Sequence, residues 1–154
     1  MATLKAGDKA PDFTAKDQNG NTVSLSNYLG KTIILYFYPK DDTPGCTAEA
    51  CDFRDNYQSL AAQGYEVIGV STDDEKSHKK FVTKYNLPFT LIADEEQEIV
   101  NAYGVWVEKN MYGKTYMGTA RTTFIIGEDG IIRNIISKVD TKNSSQQVLD
   151  LLQA

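Results

Sequence analysis

Cysteine and histidine are scarce in this chain: among 154 residues there are two cysteines, Cys46 and Cys51, and one histidine, His78. That scarcity argues against a structural zinc centre, because no second cysteine pair exists and a lone histidine has no ligand at metal-binding spacing. The five-residue separation of the cysteines also rules out a Cys-x-x-Cys dithiol. No metal or other cofactor is expected. No apolar run approaches the roughly 18 residues of a membrane span. The first residues, M-A-T-L-K-A-G-D-K-A-P-D-F, lack the apolar core of a secretory signal, so the expectation is a cytoplasmic chain, where a lasting structural disulfide is out of place. Positive charge is in deficit, with 16 Lys and Arg against 21 Asp and Glu and a net charge of −5. This disfavours nucleic acid or an anionic membrane as the main partner. Repeats, low-complexity tracts and linker-like stretches are missing too, and residues 1–154 are expected to form one domain around one core.

What is present is an alternation of strand-like and helix-like segments. Residues 12–25 alternate weakly around Q18-N-G-N21, whose Asn-Gly step signals a hairpin. The run I33-I-L-Y-F-Y38 is continuously apolar, as in a strand buried on both faces. Residues 44–62 follow as a helix, with Cys46, Ala50, Phe53, Tyr57, Leu60 and Ala61 on one stripe and Gly64 ending it. Y65-E-V-I-G-V-S71 reads as a second buried strand, residues 73–85 as a second helix, F89-T-L-I-A93 as a third strand, and residues 95–103 as a helix stopped by Gly104. A polar, glycine-bearing stretch then leads to R121-T-T-F-I-I126 and I131-I-R-N-I-I136, a hairpin joined by G127-E-D-G130. Residues 144–153 make a last helix. The order predicts an α/β fold with a central mixed β-sheet flanked by helices. A βαβ start closed by ββα is the thioredoxin arrangement, here with an N-terminal β-hairpin extension and an inserted strand and helix.

The two cysteines lie in Y38-P-K-D-D-T-P-G-C-T-A-E-A-C51. Thr43 suits an N-cap and Pro44 the first helical position. Cys46 then falls in the first turn, among unpaired N–H groups at the positive end of the helix dipole, a place that favours thiolate over thiol. A free cysteine is most often a small buried hydrophobe, but the strand–loop–helix setting and the second sulfur weigh for reactivity.

The pattern Pro39-x-x-x-Thr43-x-x-Cys46 resembles the active-site signature of the peroxiredoxins. With Cys51 five residues on, it is similar to the bacterioferritin comigratory protein or peroxiredoxin Q subfamily. The likeness runs the length of the chain, through A10-P-D-F13, G20-N-T-V-S-L25, Y65-E-V-I-G-V-S71 and R121-T-T-F-I-I126. Ala48 departs from it, standing where relatives often carry a basic residue. The resemblance implies a thioredoxin-dependent thiol peroxidase for hydrogen peroxide and alkyl hydroperoxides, acting in antioxidant defence as a monomer. Cys46 would be the peroxidatic thiol, oxidised to a sulfenic acid. Cys51 would resolve it to an internal disulfide, which a thioredoxin-like protein would reduce.

Ionisation alone cannot account for such a reaction. Lowering a thiol pKa from about 8.5 to about 6 raises its thiolate fraction at pH 7 roughly thirtyfold. The accompanying loss of basicity costs roughly thirteenfold in nucleophilicity, leaving about a factor of two. Groups that bind the peroxide and its transition state must supply the rest. The resemblance nominates Thr43, Arg121 and Pro39, with Glu49 holding Arg121. Read without it, Thr43 could simply cap the helix, Arg121 could be a surface ion-pair partner, Pro39 could start a loop and Glu49 could be a solvated carboxylate. Five residues of α-helix separate two Cα atoms by about 8.6 Å, whereas a disulfide needs less than about 7 Å. The helix start must therefore unwind before Cys46 and Cys51 can bond.

His78, within D73-D-E-K-S-H-K-K80, reads as part of a solvated helix face, and Asp41 and Asp42 as turn carboxylates. Trp106 and the tyrosines of residues 103–116 fit either core or an apolar surface. Two other functions are compatible with the cysteine pair: a general dithiol–disulfide oxidoreductase, and a redox sensor or chaperone-like binding protein. Peroxide turnover separates the first reading from both.

Overall fold

The computed structural model describes residues 4–152. The Asn-Gly turn closes β1 (Thr14–Asp17) onto β2 (Thr22–Ser24), as its backbone preference dictates. A single 3-10 turn (Leu25–Tyr28) leads to β3 (Thr32–Phe37), then α1 (Pro44–Ala62), β4 (Tyr65–Ser71), α2 (Glu75–Tyr85), β5 (Thr90–Ala93) and α3 (Glu98–Ala102). The chain continues through β6 (Trp106–Met111), β7 (Lys114–Thr119), β8 (Thr122–Ile126), β9 (Ile132–Ile136) and α4 (Ser144–Leu152).

Seven strands form one mixed sheet in the order β2-β1-β5-β4-β3-β8-β9, with β3, β4 and β5 parallel and the other pairings antiparallel. The continuous apolar run of β3 is explained by burial on both faces. Ile33, Leu35 and Phe37 pack with Ile68, Val70, Ile92 and the α3 residues Ile99 and Val100 on one side. Ile34, Tyr36 and Tyr38 face Ala50, Phe53 and Leu60 of α1, Phe81 of α2 and Val148 of α4 on the other. This is the expected thioredoxin-like layering. One glycine is required by it: a Cβ on Gly69 would stand 2.9 Å from the Tyr36 ring and 2.8 Å from Leu91, so the large Tyr36 ring lies over bare backbone.

Three expectations need correction. Ala61 is exposed, because the stripe of α1 that meets the sheet ends at Leu60. The helix expected over 95–103 covers only Glu98–Ala102, since the Asp94 carboxylate accepts the N–H groups of Ile99 and Val100 and fixes the start there. The polar stretch after Gly104 is a two-stranded hairpin, β6 with β7, turning at Tyr112 and Gly113, both in the left-handed region. Its side chains are largely exposed, which removes the apolar alternation that marks a half-buried strand. Among the described residues, no helix is long and apolar enough to cross a membrane.

Candidate active site

Cys46 occupies the third position of α1 and is 1% exposed. The antiparallel register that sets Phe37 against Thr122 brings the start of β8 alongside the end of β3, and Arg121 lies immediately before that start. Its Nη2 donates to Cys46 Sγ at 3.2 Å and its Nη1 to Glu49 Oε1 at 2.9 Å. The planar fork of arginine serves both acceptors from one rigid group. Gly45 makes room for it, since a Cβ there would lie 3.2 Å from Nη2.

Glu49 follows Cys46 by nearly one turn of α1 and is completely buried. Its Oε2 accepts the hydroxyl of Ser144, at the start of α4, at 3.1 Å. Burial raises the Glu49 carboxyl above the usual range, opposed by the charge and hydrogen bond of Arg121 and by Ser144. Burial also works against the charged guanidinium of Arg121, but Cys46 and Glu49 outweigh it and hold the cation more firmly than usual. A second cation approaches from β6: burial and the charge of Arg121 lower the ammonium pKa of Lys109, while Cys46 opposes the shift. The buried Tyr36 hydroxyl finds no hydrogen-bond partner among the described residues. Burial, with the charges of Glu49, Cys46 and Asp41, pushes its ionisation far upward.

Thr43 takes the N-cap backbone conformation, with φ −98 and ψ 157, but its side chain makes no cap hydrogen bond. The hydroxyl instead donates to the Lys40 carbonyl at 2.9 Å, inside the loop. The capping role expected of Thr43 therefore rests on its backbone alone, and the hydroxyl keeps its lone pairs. Pro39 is half-buried where the chain leaves β3. Cys51 is half-buried on the same uninterrupted helix as Cys46, and both thiols are free. The structure thus brings Cys46, Arg121 and Glu49 into direct contact, with Thr43 and Pro39 in the adjoining loop and Cys51 along the helix.

His78 contradicts the solvated-face reading. It is 0% exposed, with Nδ1 2.6 Å from Asp41 Oδ2 and Nε2 2.8 Å from the Ile92 carbonyl. Asp41 does lie in the turn, but its carboxylate is buried. The signal was available, because His78, Phe81, Val82 and Tyr85 share the inward face of α2 at helical spacing. Asp42 does behave as a surface turn residue, at φ 57 and paired with Lys84 and Tyr85. Donor atoms of Asp41, Asp73 and His78 lie within 4.8 Å of one another, but both nitrogens of His78 are engaged by protein. Of the undecided aromatics, Tyr103 is core, its hydroxyl donating to the Pro11 carbonyl. Trp106 is half-buried against that core, while Tyr112 is 98% exposed and Tyr116 is also exposed.

Residues 6–135 match the model of the AhpC/TSA family. The chain is 48% identical over 150 residues to the peroxiredoxin Bcp of Bacillus subtilis, covering 97% of this chain and 96% of that one. A PrxQ crystal structure from Xylella fastidiosa superposes with a TM-score of 0.93 at 30% identity, covering 99% of this chain and 98% of that one. The bacterioferritin comigratory protein of Xanthomonas campestris, described by its alkyl peroxide reduction activity, matches with a TM-score of 0.86 at 34% identity over 92% of this chain and 90% of that one.

Proposed function

This chain belongs to the AhpC/TSA family, among the Bcp and PrxQ peroxiredoxins, and as such is a thiol peroxidase; from that premise we propose that Cys46 reduces peroxides and Cys51 resolves the product. The observation that carries the reading is the single arginine shared between Cys46 Sγ and the buried Glu49. A cation 3.2 Å from the sulfur donates to it and stands where negative charge develops as the O–O bond breaks.

In the first step the Cys46 thiolate attacks one peroxide oxygen. An S–O bond forms, the O–O bond breaks, and the departing hydroxide or alkoxide takes up a proton, leaving a sulfenic acid. Arg121 supplies N–H donors to the reacting oxygens. Thr43, whose hydroxyl hydrogen is directed to Lys40, offers a lone pair to the proton-bearing oxygen of the peroxide. Pro39, without an N–H, adds no competing donor and shields the sulfur from water. In the second step the Cys51 sulfur attacks the sulfenic sulfur, an S–S bond forms and water leaves. Thiol–disulfide exchange with a thioredoxin-like dithiol then restores both thiols. Hydrogen peroxide and alkyl hydroperoxides are the proposed substrates, and the proposed working form is a cytoplasmic, single-domain monomer.

Cys46→Ser tests the assignment, because a serine hydroxyl is barely ionised at neutral pH and Cys51 has no arginine donating to its sulfur among the hydrogen bonds described. Peroxide consumption coupled to thioredoxin, thioredoxin reductase and NADPH should fall to background. Retention of more than about a tenth of wild-type turnover would overturn it, since nucleophile loss ordinarily removes several orders of magnitude.

A further inference from the structure

Asp41 stands midway between Pro39 and Thr43, in the loop that joins β3 to α1, and its carboxylate gathers three side chains. Oδ1 accepts the Tyr38 hydroxyl at 2.6 Å. Oδ2 accepts the Ser77 hydroxyl at 2.8 Å and faces His78 Nδ1 at 2.6 Å. The Asp41 backbone N–H donates to Asp73 Oδ2 at 2.8 Å, an oxygen that also accepts the Ser71 hydroxyl. The end of β3, the end of β4 and the first turn of α2 are thereby tied to one loop residue. His78 extends the tie to β5 through the Ile92 carbonyl.

Proton placement in this cluster follows from its partners. A carbonyl only accepts, so Nε2 of His78 carries a hydrogen. One more proton must lie between Nδ1 and Oδ2, because two bare lone pairs would repel at that separation. Burial pushes the His78 pKa down, but the hydrogen bond and charge of Asp41 outweigh it, aided by Ile92 and Asp73, and the imidazolium is favoured.

The loop transmits this anchorage to the active site. The Thr43 hydroxyl donates to the Lys40 carbonyl, so a shift of the Lys40–Asp41 backbone is a shift of Thr43. Asp42, next in line, is already held in the left-handed region at φ 57, which leaves the loop little freedom to adjust. Packing of β3 and α2 does not rest on the polar cluster alone, since Ile34 and Tyr36 of β3 and Phe81 of α2 share an apolar core. A buried ion pair adds little net stability over apolar side chains of the same size.

We infer that Asp41 and His78 are positioning residues for peroxide reduction: the buried pair fixes the loop of residues 39–43, and with it Pro39 and the Thr43 hydroxyl, without touching the peroxide. The inference rests on the reading of Cys46 as the peroxidatic thiol. It separates the two ring nitrogens by task. The Nδ1 side holds the loop, and the Nε2 side holds β5.

Two substitutions divide those tasks. The amide nitrogen of asparagine lies near the place of Nδ1, so His78→Asn keeps the donor to Asp41 and gives up Ile92. That of glutamine lies near Nε2, so His78→Gln keeps Ile92 and gives up Asp41. Stopped-flow rate constants for Cys46 oxidation by hydrogen peroxide should fall in His78→Gln by about ten- to a hundredfold, the scale of an ångström's misplacement. His78→Asn should stay within about threefold of wild type, since its loop contact survives. Thiolate absorbance should be the same in both, and their melting temperatures should fall alike. Equal slowing in the two variants, or slowing that follows melting temperature, would overturn the inference. Where the His78 variants do not fold, Asp41→Asn and Asp41→Ala take their place. The near-isosteric amide should keep most of the rate and alanine should lose about tenfold or more, and a wild-type rate in Asp41→Ala would overturn the inference. Wild-type protein in the same experiment separates the two claims. A wild-type Cys46 that hydrogen peroxide leaves unoxidised overturns the peroxidatic assignment and this inference with it, whereas normal wild-type oxidation with equal slowing in the variants overturns this inference alone.

Discussion

Glu49 has no exposed surface, yet it carries a charge that burial opposes. Its folded-state pKa lies above the ordinary 4.5, so the native state binds a proton more readily than the unfolded chain does. For a raised carboxyl, ionisation destabilises the fold as pH climbs from the ordinary value through the folded one, and protonation relieves that cost on the acid side. The charge is retained for what it does to Arg121: an ionised carboxylate aims the guanidinium so that its other nitrogen reaches Cys46. Glu49→Gln should accordingly gain stability relative to wild type as pH rises from about 4 to about 7, while oxidation of Cys46 slows by about tenfold or more from loss of charge-assisted positioning. Thermal melts across that range, paired with stopped-flow oxidation, check both parts. A melting-temperature difference that shrinks with rising pH would contradict the sign. The Cys46–Glu49–Arg121 set was legible in the sequence only through family likeness, because nothing in local patterning tells that Arg121 will meet a residue 72 positions earlier. The burial of His78 is hidden in the sequence for the opposite reason: its charged neighbours on α2 mask an apolar stripe that Phe81, Val82 and Tyr85 complete.

At the scale of the element, α1 is held unevenly. Its first turn lacks a side-chain cap from Thr43, and the first N–H groups of any helix have no intrahelical partner to lose. Further along, Asp52 accepts the backbone N–H of Ser145 at 2.7 Å, and Phe53 and Leu60 are completely buried. Unwinding of the start is therefore the least costly way to bring Cys46 to Cys51, and the α4 contact at Asp52 marks where it should stop. Amide hydrogen exchange should show protection over residues 47–51, the first of which donates to the Thr43 carbonyl, in the reduced protein, lost on oxidation, with residues 53–62 protected in both states. Equal protection of residues 47–51 in the two states would contradict the unwinding step. The bounds of α1 were readable from Thr43, Pro44 and Gly64, but the missing cap was not, since the choice of Thr43 between its helix and the Lys40 carbonyl depends on the loop's path.

Over the whole molecule, the order of strands and helices followed from two signals, the doubly buried runs of β3 and β4 and the turn residues between elements. The β6–β7 hairpin escaped because its stability comes from the turn and its cross-strand partners rather than from an apolar face. Its position follows from the end of α3 and the start of β8, and it brings Lys109 toward Arg121 and Cys46. The fold thus assembles its chemistry from separate regions: a helix start, the entry to β8, the start of α4 and a loop anchored on α2. All of them serve one claim, that Cys46 is oxidised first and Cys51 answers it. Cys51→Ser isolates the first event. After one equivalent of hydrogen peroxide, a sulfenic-acid-specific label mapped by peptide mass spectrometry should accumulate on Cys46. The wild-type protein under the same treatment should carry a Cys46–Cys51 disulfide and little label. Absence of label on Cys46 in the variant, or of that disulfide in the wild type, would contradict the account.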